Sequence, residues 1–290
     1  MKISYNEATA KGCSSLEKDL ELCEQMGFDY LEIRLDMLRD YLTRHSLSEL
    51  AAFFHTSRLK PHALNAVYLY PEFLSERDSE DKKAEVMNDF MLACEAGIAI
   101  GSQYMIVVPP LQRDPLGGPF PGNREETAKE CIRILSALSE MALPYGMNLC
   151  FEPVGFNRSS VRNVKEAAAI VNEVDRPNVG FALDSYNLYL YEGSNDFSSI
   201  GEADPGKIFA VHMMSGLDVP AEERGQDKRC YPDRGVVDTG NFLRNLKQAG
   251  YEGMVSIETF NPHYWREKPE HVIAMAYETT RKVLEQYECL

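Results

Sequence analysis

Eight short apolar runs alternate with longer amphipathic stretches from one end of the chain to the other, with no Pro-, Gly- or Ser-rich linker between them. The runs are Lys2–Tyr5, Tyr30–Arg34, His62–Asn65, Tyr104–Val108, Asn148–Pro153, Val179–Asp184, Ile208–His212 and Met254–Thr259. Each has the length and apolar density of a strand covered on both faces. Between them apolar residues recur at helical spacing over Ser15–Met26, Leu47–His55, Lys82–Ile98, Glu125–Pro144, Val164–Val174, Asn241–Ala249 and Pro269–Gln286. Tyr186–Ile200 breaks the pattern and predicts a short or broken helix. The alternation predicts one α/β domain over residues 1–290, a (β/α)₈ barrel of parallel strands ringed by helices. The competing arrangement, an open doubly wound sheet, usually carries GxGxxG after its first strand, and none follows Tyr5.

Composition narrows the partners. The net charge of −15 repels phosphate backbones and anionic lipid surfaces, so nucleic acid and membrane are not expected. The N-terminal MKISYNEATAKGCSSL has no basic segment leading into an apolar run, and no stretch reaches the roughly 20 apolar residues that span a bilayer. Seven cysteines, an odd number without CxxC spacing, read as reduced thiols of a cytoplasmic protein. Nothing here sets an oligomeric state, and a homo-oligomer is compatible with the sequence.

Barrel chemistry sits where strands end and βα loops begin. Three such loops are long: Tyr68–Asp81, the Pro- and Gly-rich Pro109–Arg124, which suggests a shaped cover, and Met213–Val237. Four successive strands end on metal-ligand side chains: Glu152 in NLCFEP, Asp184 in VGFALD, His212 in IFAVH and Glu258 in VSIET. Three acids converging on one barrel mouth would repel one another, and a cation resolves that conflict. Three carboxylates and one imidazole make a hard donor set for one divalent ion, with Mn²⁺ first and Mg²⁺, Co²⁺ or Zn²⁺ as alternatives. Glu32 and Arg34, two apart on the second strand, point to the same side, and Glu7 lies just past the first strand. A buried salt bridge between these acids and Arg34 is the plain expectation. The sharper one places Arg34 on a substrate hydroxyl.

These residues carry a resemblance. FDYLEIR (Phe28–Arg34), NEAT (Asn6–Thr9), ALNA (Ala63–Ala66), FEPVG (Phe151–Gly155), ALDSYN (Ala182–Asn187), the VH of the seventh strand and VSIETF (Val255–Phe260) resemble the sugar isomerase/epimerase barrels, which include xylose isomerase-like proteins. The nearest likeness is to the inosose isomerase branch, which acts on keto-inositols. The resemblance implies that Glu152, Asp184, His212 and Glu258 bind the metal and that Glu152 and Glu258 are catalytic. It places a substrate-contacting arginine at Arg229, with Arg234 as the neighbouring alternative. It also implies Asp-x-x-His at the end of the sixth strand, where this chain has Asp184-Ser185-Tyr186-Asn187. An amide cannot accept a proton near neutral pH, so a titrating role there would be lost or moved to His62 or His263, the latter beside Trp265. Asn187 and His62 are therefore expected, with Arg229 and Arg34, to face substrate.

The implied substrate is a non-phosphorylated polyol ketone or keto-sugar, since no phosphate-cradling Gly-rich loop is present. Its isomerisation or epimerisation would run through an enediolate. The second reading is a lyase or dehydratase acting on a 3-oxo-sugar, with carbon–carbon cleavage of a 3-oxo-glycoside and a hetero-subunit partner. An endonuclease would need more ligands and a basic groove.

Overall fold

The computed structural model describes residues 1–69, 80–112 and 118–290. Eight parallel strands close into a barrel: β1 (Lys2–Asn6), β2 (Tyr30–Arg34), β3 (Lys60–Tyr68), β4 (Tyr104–Val108), β5 (Asn148–Phe151), β6 (Val179–Asp184), β7 (Ile208–His212) and β8 (Met254–Ile257). Each strand pairs with its sequence neighbour, and β1 closes on β8 through the register Lys2↔Met254 to Tyr5↔Ile257. Around it lie α1 (Leu16–Met26), α2 (Leu35–Leu42), α3 (Leu47–Thr56), α4 (Glu80–Ile100), α5 (Arg124–Ala142), α6 (Val164–Val174), α7 (Ser185–Glu192), α8 (Thr239–Gln248) and α9 (Pro269–Gln286). The expected (β/α)₈ barrel is therefore present. No helix among the described residues is long and apolar enough to cross a membrane.

Local signals explain the boundaries. Ser15 caps α1 by accepting the Lys18 N–H, and Gly27, at φ 105°, ends it in the left-handed conformation that glycine adopts without a Cβ clash. Asn123 and Asn163 cap α5 and α6 in the same way. The main apolar core lies between the strands' outward faces and the helices, while Ala63, Ile106, Cys150, Ala182 and Ala210 pack inside the barrel.

Two helices begin with no loop at all, and periodicity overlooks one of them. β2 runs straight into α2 at Leu35, and β6 runs straight into α7 at Ser185. A small antiparallel ribbon, Ser215–Gly216 against Arg229–Cys230, folds the long connection after β7 back across the barrel mouth. The loop expected over Tyr68–Asp81 lies mostly outside the described residues, as does the centre of the expected cover at Pro109–Arg124.

Candidate metal centre

Side chains two apart on a strand point the same way, and that spacing builds the site. On the inward face of β5 and just beyond it, Cys150 is followed by Glu152; on β6, Ala182 by Asp184; on β7, Ala210 by His212; on β8 and just beyond it, Ser256 by Glu258. A small buried residue thus sits beneath each candidate ligand, leaving the barrel centre free for the longer side chains above. One ligand atom from each of Glu152, Asp184, His212 and Glu258 lies within 4.8 Å of the others, and all four residues are buried. Ligands opposite one another across an ion at about 2.2 Å would lie about 4.4 Å apart, so small side-chain shifts close the group on one divalent ion.

His212 presents Nδ1 to this group, at 3.4 Å from Glu152, 3.7 Å from Glu258 and 3.9 Å from Asp184. Its Nε2 lies 3.0 and 3.1 Å from the two carboxylate oxygens of Glu32. Asp184 divides its work: Oδ1 accepts the Asn187 N–H at 2.7 Å and caps α7, while Oδ2 accepts from Arg229 Nη1 at 2.6 Å. Arg229 Nη1 also donates to Glu258 Oε2 at 3.2 Å. Asn6 and Asn65 both donate to Glu258 Oε1, at 3.0 and 3.2 Å. Asn187 Nδ2 donates to Glu152 Oε1 at 3.3 Å. Gly155 makes this last contact reachable, because a Cβ there would collide with the Asn187 carbonyl.

The electrostatics show why the cluster wants a cation. Four buried carboxylates (Glu32, Glu152, Asp184, Glu258) face two basic side chains, His212 and Arg229. Burial, reinforced by Glu152 and Glu32, pushes Glu258 up to about 7 against the opposing pull of His212 and Arg229. Burial also opposes charge on His212, but Glu32 and Glu258 override it and raise the imidazole well above its usual range. Glu32 is held down at about 2, because the His212 charge and hydrogen bond overcome its burial. Without an ion, protons do the balancing; a divalent cation does so with the imidazole neutral.

The site floors a cavity of about 450 Å³ whose walls include Arg34, Asn65, Asn187, Arg229 and Phe260, a size suited to a small molecule. Arg229, Arg34 and Asn187 thus all line the mouth, but Arg34 does not pair with Glu32 or through its side chain with Glu7. Its guanidinium grips Asp36 through Nε and Nη2, at 2.9 and 3.1 Å, while Glu7 takes its backbone N–H. Arg234 pairs with Asp233 near the surface.

His62 is a correction. β3 starts at Lys60 and runs to Tyr68, so His62 falls near its beginning. It lines a depression at the opposite end of the barrel with Lys2, Lys60 and Met254, packed between Tyr30 and Tyr104, and burial pushes it down to about 4. His263 and Trp265 do not line the metal cavity either. Trp265 donates Nε1–H to the Ala8 carbonyl and covers Gly12, so it shields the barrel end. Sequence reasoning singled out Glu32 only as a partner for Arg34. Its inward position two residues before Arg34 was visible, but its partner, 180 residues away, was not.

Comparison with known proteins agrees with this geometry. A family model described as xylose isomerase-like TIM barrel matches residues 20–282. An inosose isomerase from Bacillus velezensis is 37% identical over 288 residues, covering 99% of this chain and 98% of its own. An L-ribulose 3-epimerase from Methylomonas sp. is 26% identical over 241 residues, covering 81% of this chain and 75% of its own. A solved structure of IOLI protein with a binding zinc atom has a TM-score of 0.89 and 36% identity, covering 99% of both chains.

Proposed function

We propose, from the premise that this chain belongs to the xylose isomerase-like TIM barrel family, that it is a divalent-metal-dependent isomerase or epimerase of a non-phosphorylated keto-inositol or keto-sugar. One observation carries the reading: four ligand atoms within 4.8 Å of one another, two of them from Glu152 and Glu258, which line a small-molecule cavity. The near-full-length likeness to inosose isomerases supports the keto-inositol class. The harder donor set favours Mn²⁺ as the working ion, although the IOLI protein holds zinc. The acids at the floor disfavour a phosphorylated substrate, and of the cations in the wall Lys11 and Arg34 are paired with Asp36, Arg39 with Asp89, and Arg229 with Asp184 and Glu258. A cytoplasmic location fits the reduced cysteines.

A bound divalent ion supplies Lewis acidity, polarising a substrate carbonyl so that the neighbouring C–H becomes acidic. Glu152 and Glu258 come from strands that flank β6 and β7, so their carboxylates reach the substrate from different sides. One takes the proton and the other returns it. Asn6 and Asn65 hold the far oxygen of Glu258, and Asn187 holds Glu152, so neither base must be reoriented during reaction. Arg229, fixed between Asp184 and Glu258, stabilises negative charge developing on the substrate oxygens.

The test is NMR in deuterated water, with metal-loaded enzyme on 2-keto-myo-inositol and, separately, on a 3-oxo-glycoside. Deuterium entering the carbon beside the carbonyl, with a new ketone appearing, is expected. Release of the aglycone from the glycoside, with the inosose left unexchanged, would replace this reading with the lyase.

A further inference from the structure

We propose that Glu32 is a positioning residue of the metal centre: it takes the Nε2–H of His212, thereby fixing Nδ1 as the ligand atom, and shares Asn65 with Glu258. The inference rests on the metal-centre reading above. It begins from burial, since Glu32 and His212 are each 0% exposed. A carboxylate so placed needs partners, and it has two: His212 Nε2 at 3.0 and 3.1 Å, and Asn65 Nδ2 at 2.8 Å.

A neutral imidazole carries one N–H and one lone pair, and whichever nitrogen faces an acceptor-only group must keep the hydrogen. An ionised carboxylate straddling Nε2 therefore places the hydrogen there and the lone pair on Nδ1. Nδ1 is the atom that points at Glu152, Asp184 and Glu258. With Glu32 neutral or absent, the other tautomer and the flipped ring become accessible, and both remove a ligand lone pair from the site. The negative charge of Glu32 also raises the donor strength of the ring, as carboxylates behind metal-bound histidines do.

Asn65 extends this hold. Its single Nδ2 donates to Glu32 Oε1 and, at 3.2 Å, to Glu258 Oε1. The orienting acid and the proposed base thus hang from one amide, so displacing Glu32 loosens His212 and Glu258 together. A mere core ion pair would need neither the Nδ1 orientation nor the shared amide.

The experiment titrates the metal-free full-length chain with Mn²⁺ and Co²⁺ in competition with a chelator. Wild type, Glu32→Gln and Glu32→Asp are compared, and the thermal midpoint of each metal-free protein is recorded alongside. Glu32→Gln should bind either ion about 10- to 100-fold more weakly and shift the visible spectrum of bound Co²⁺. Glu32→Asp, which keeps the charge, should recover part of the affinity. Affinity and spectrum unchanged in folded Glu32→Gln would overturn the positioning role while leaving the metal centre standing. A wild type that binds no ion would overturn both. Should Glu32→Gln fail to fold, imidazole NMR of ¹⁵N-labelled, Zn²⁺-loaded wild type decides. Protonated Nε2 with metal-shifted Nδ1 supports the proposal, and the reverse assignment refutes it.

Discussion

Replacing Glu258 with Gln separates the chemistry of the site from its cost to the fold. Glu258 is 4% exposed, and its pKa of about 7 lies above the ordinary 4.5. Because the folded state holds this proton more tightly than the unfolded chain, Glu258 is neutral to stability at low pH. It becomes destabilising as pH rises from 4.5 through 7, fully so above that. The interval, at about 1.4 kcal/mol per pH unit, sets a ceiling of roughly 3 to 4 kcal/mol. In the Gln variant, the side-chain oxygen can still accept from Asn6 and Asn65, but the amide nitrogen then faces Arg229, and losing that bond costs about 1 to 1.5 kcal/mol. Metal-free Glu258→Gln should therefore be more stable than metal-free wild type at pH 8, by up to about 2 kcal/mol, and no more stable at pH 4. The metal-loaded variant should lose at least about 10²-fold in turnover, because the amide cannot take a proton. Urea denaturation at the two pH values and the deuterium-exchange rate are the assays. A variant less stable than wild type at pH 8, or one exchanging at near wild-type rate, would refute this account of Glu258.

Two further predictions concern residues away from the chemistry. Asp19, fully buried and raised to about 8 chiefly by burial, binds a proton in the folded state that the unfolded chain has released. Wild-type stability should therefore carry an extra fall, at most about 1.4 kcal/mol per pH unit, between roughly pH 4 and 8. Asp19→Asn should remove that slope in urea midpoints, and parallel curves would contradict it. His62→Phe keeps the ring between Tyr30 and Tyr104, so turnover should be unchanged and stability should move by no more than about 1 kcal/mol. A tenfold fall in turnover would return His62 to the site.

The ligand set was legible because a barrel reduces a three-dimensional question to a one-dimensional one: which side chains end consecutive strands. Glu152, Asp184, His212 and Glu258 answered it without any knowledge of packing. His62 misled for the same reason. The apolar run ends at Asn65, whereas β3 continues through Val67 and Tyr68, so the mouth lies higher than the run alone implies. The helix at Leu35–Leu42 was invisible because Arg34 ends a strand and opens a helix at once, without a turn residue to mark the change. Glu32 escaped because hydrogen-bond partners across a barrel leave no trace in local periodicity.

The central claim is that four strand ends hold one divalent ion through three carboxylates and His212 Nδ1. Anomalous diffraction from crystals of the full chain grown with Mn²⁺ tests it directly. The account predicts one strong peak, within about 2.3 Å of oxygens from Glu152, Asp184 and Glu258 and of His212 Nδ1, with Glu32 behind Nε2. No peak there, or an ion bound through His212 Nε2, would contradict it.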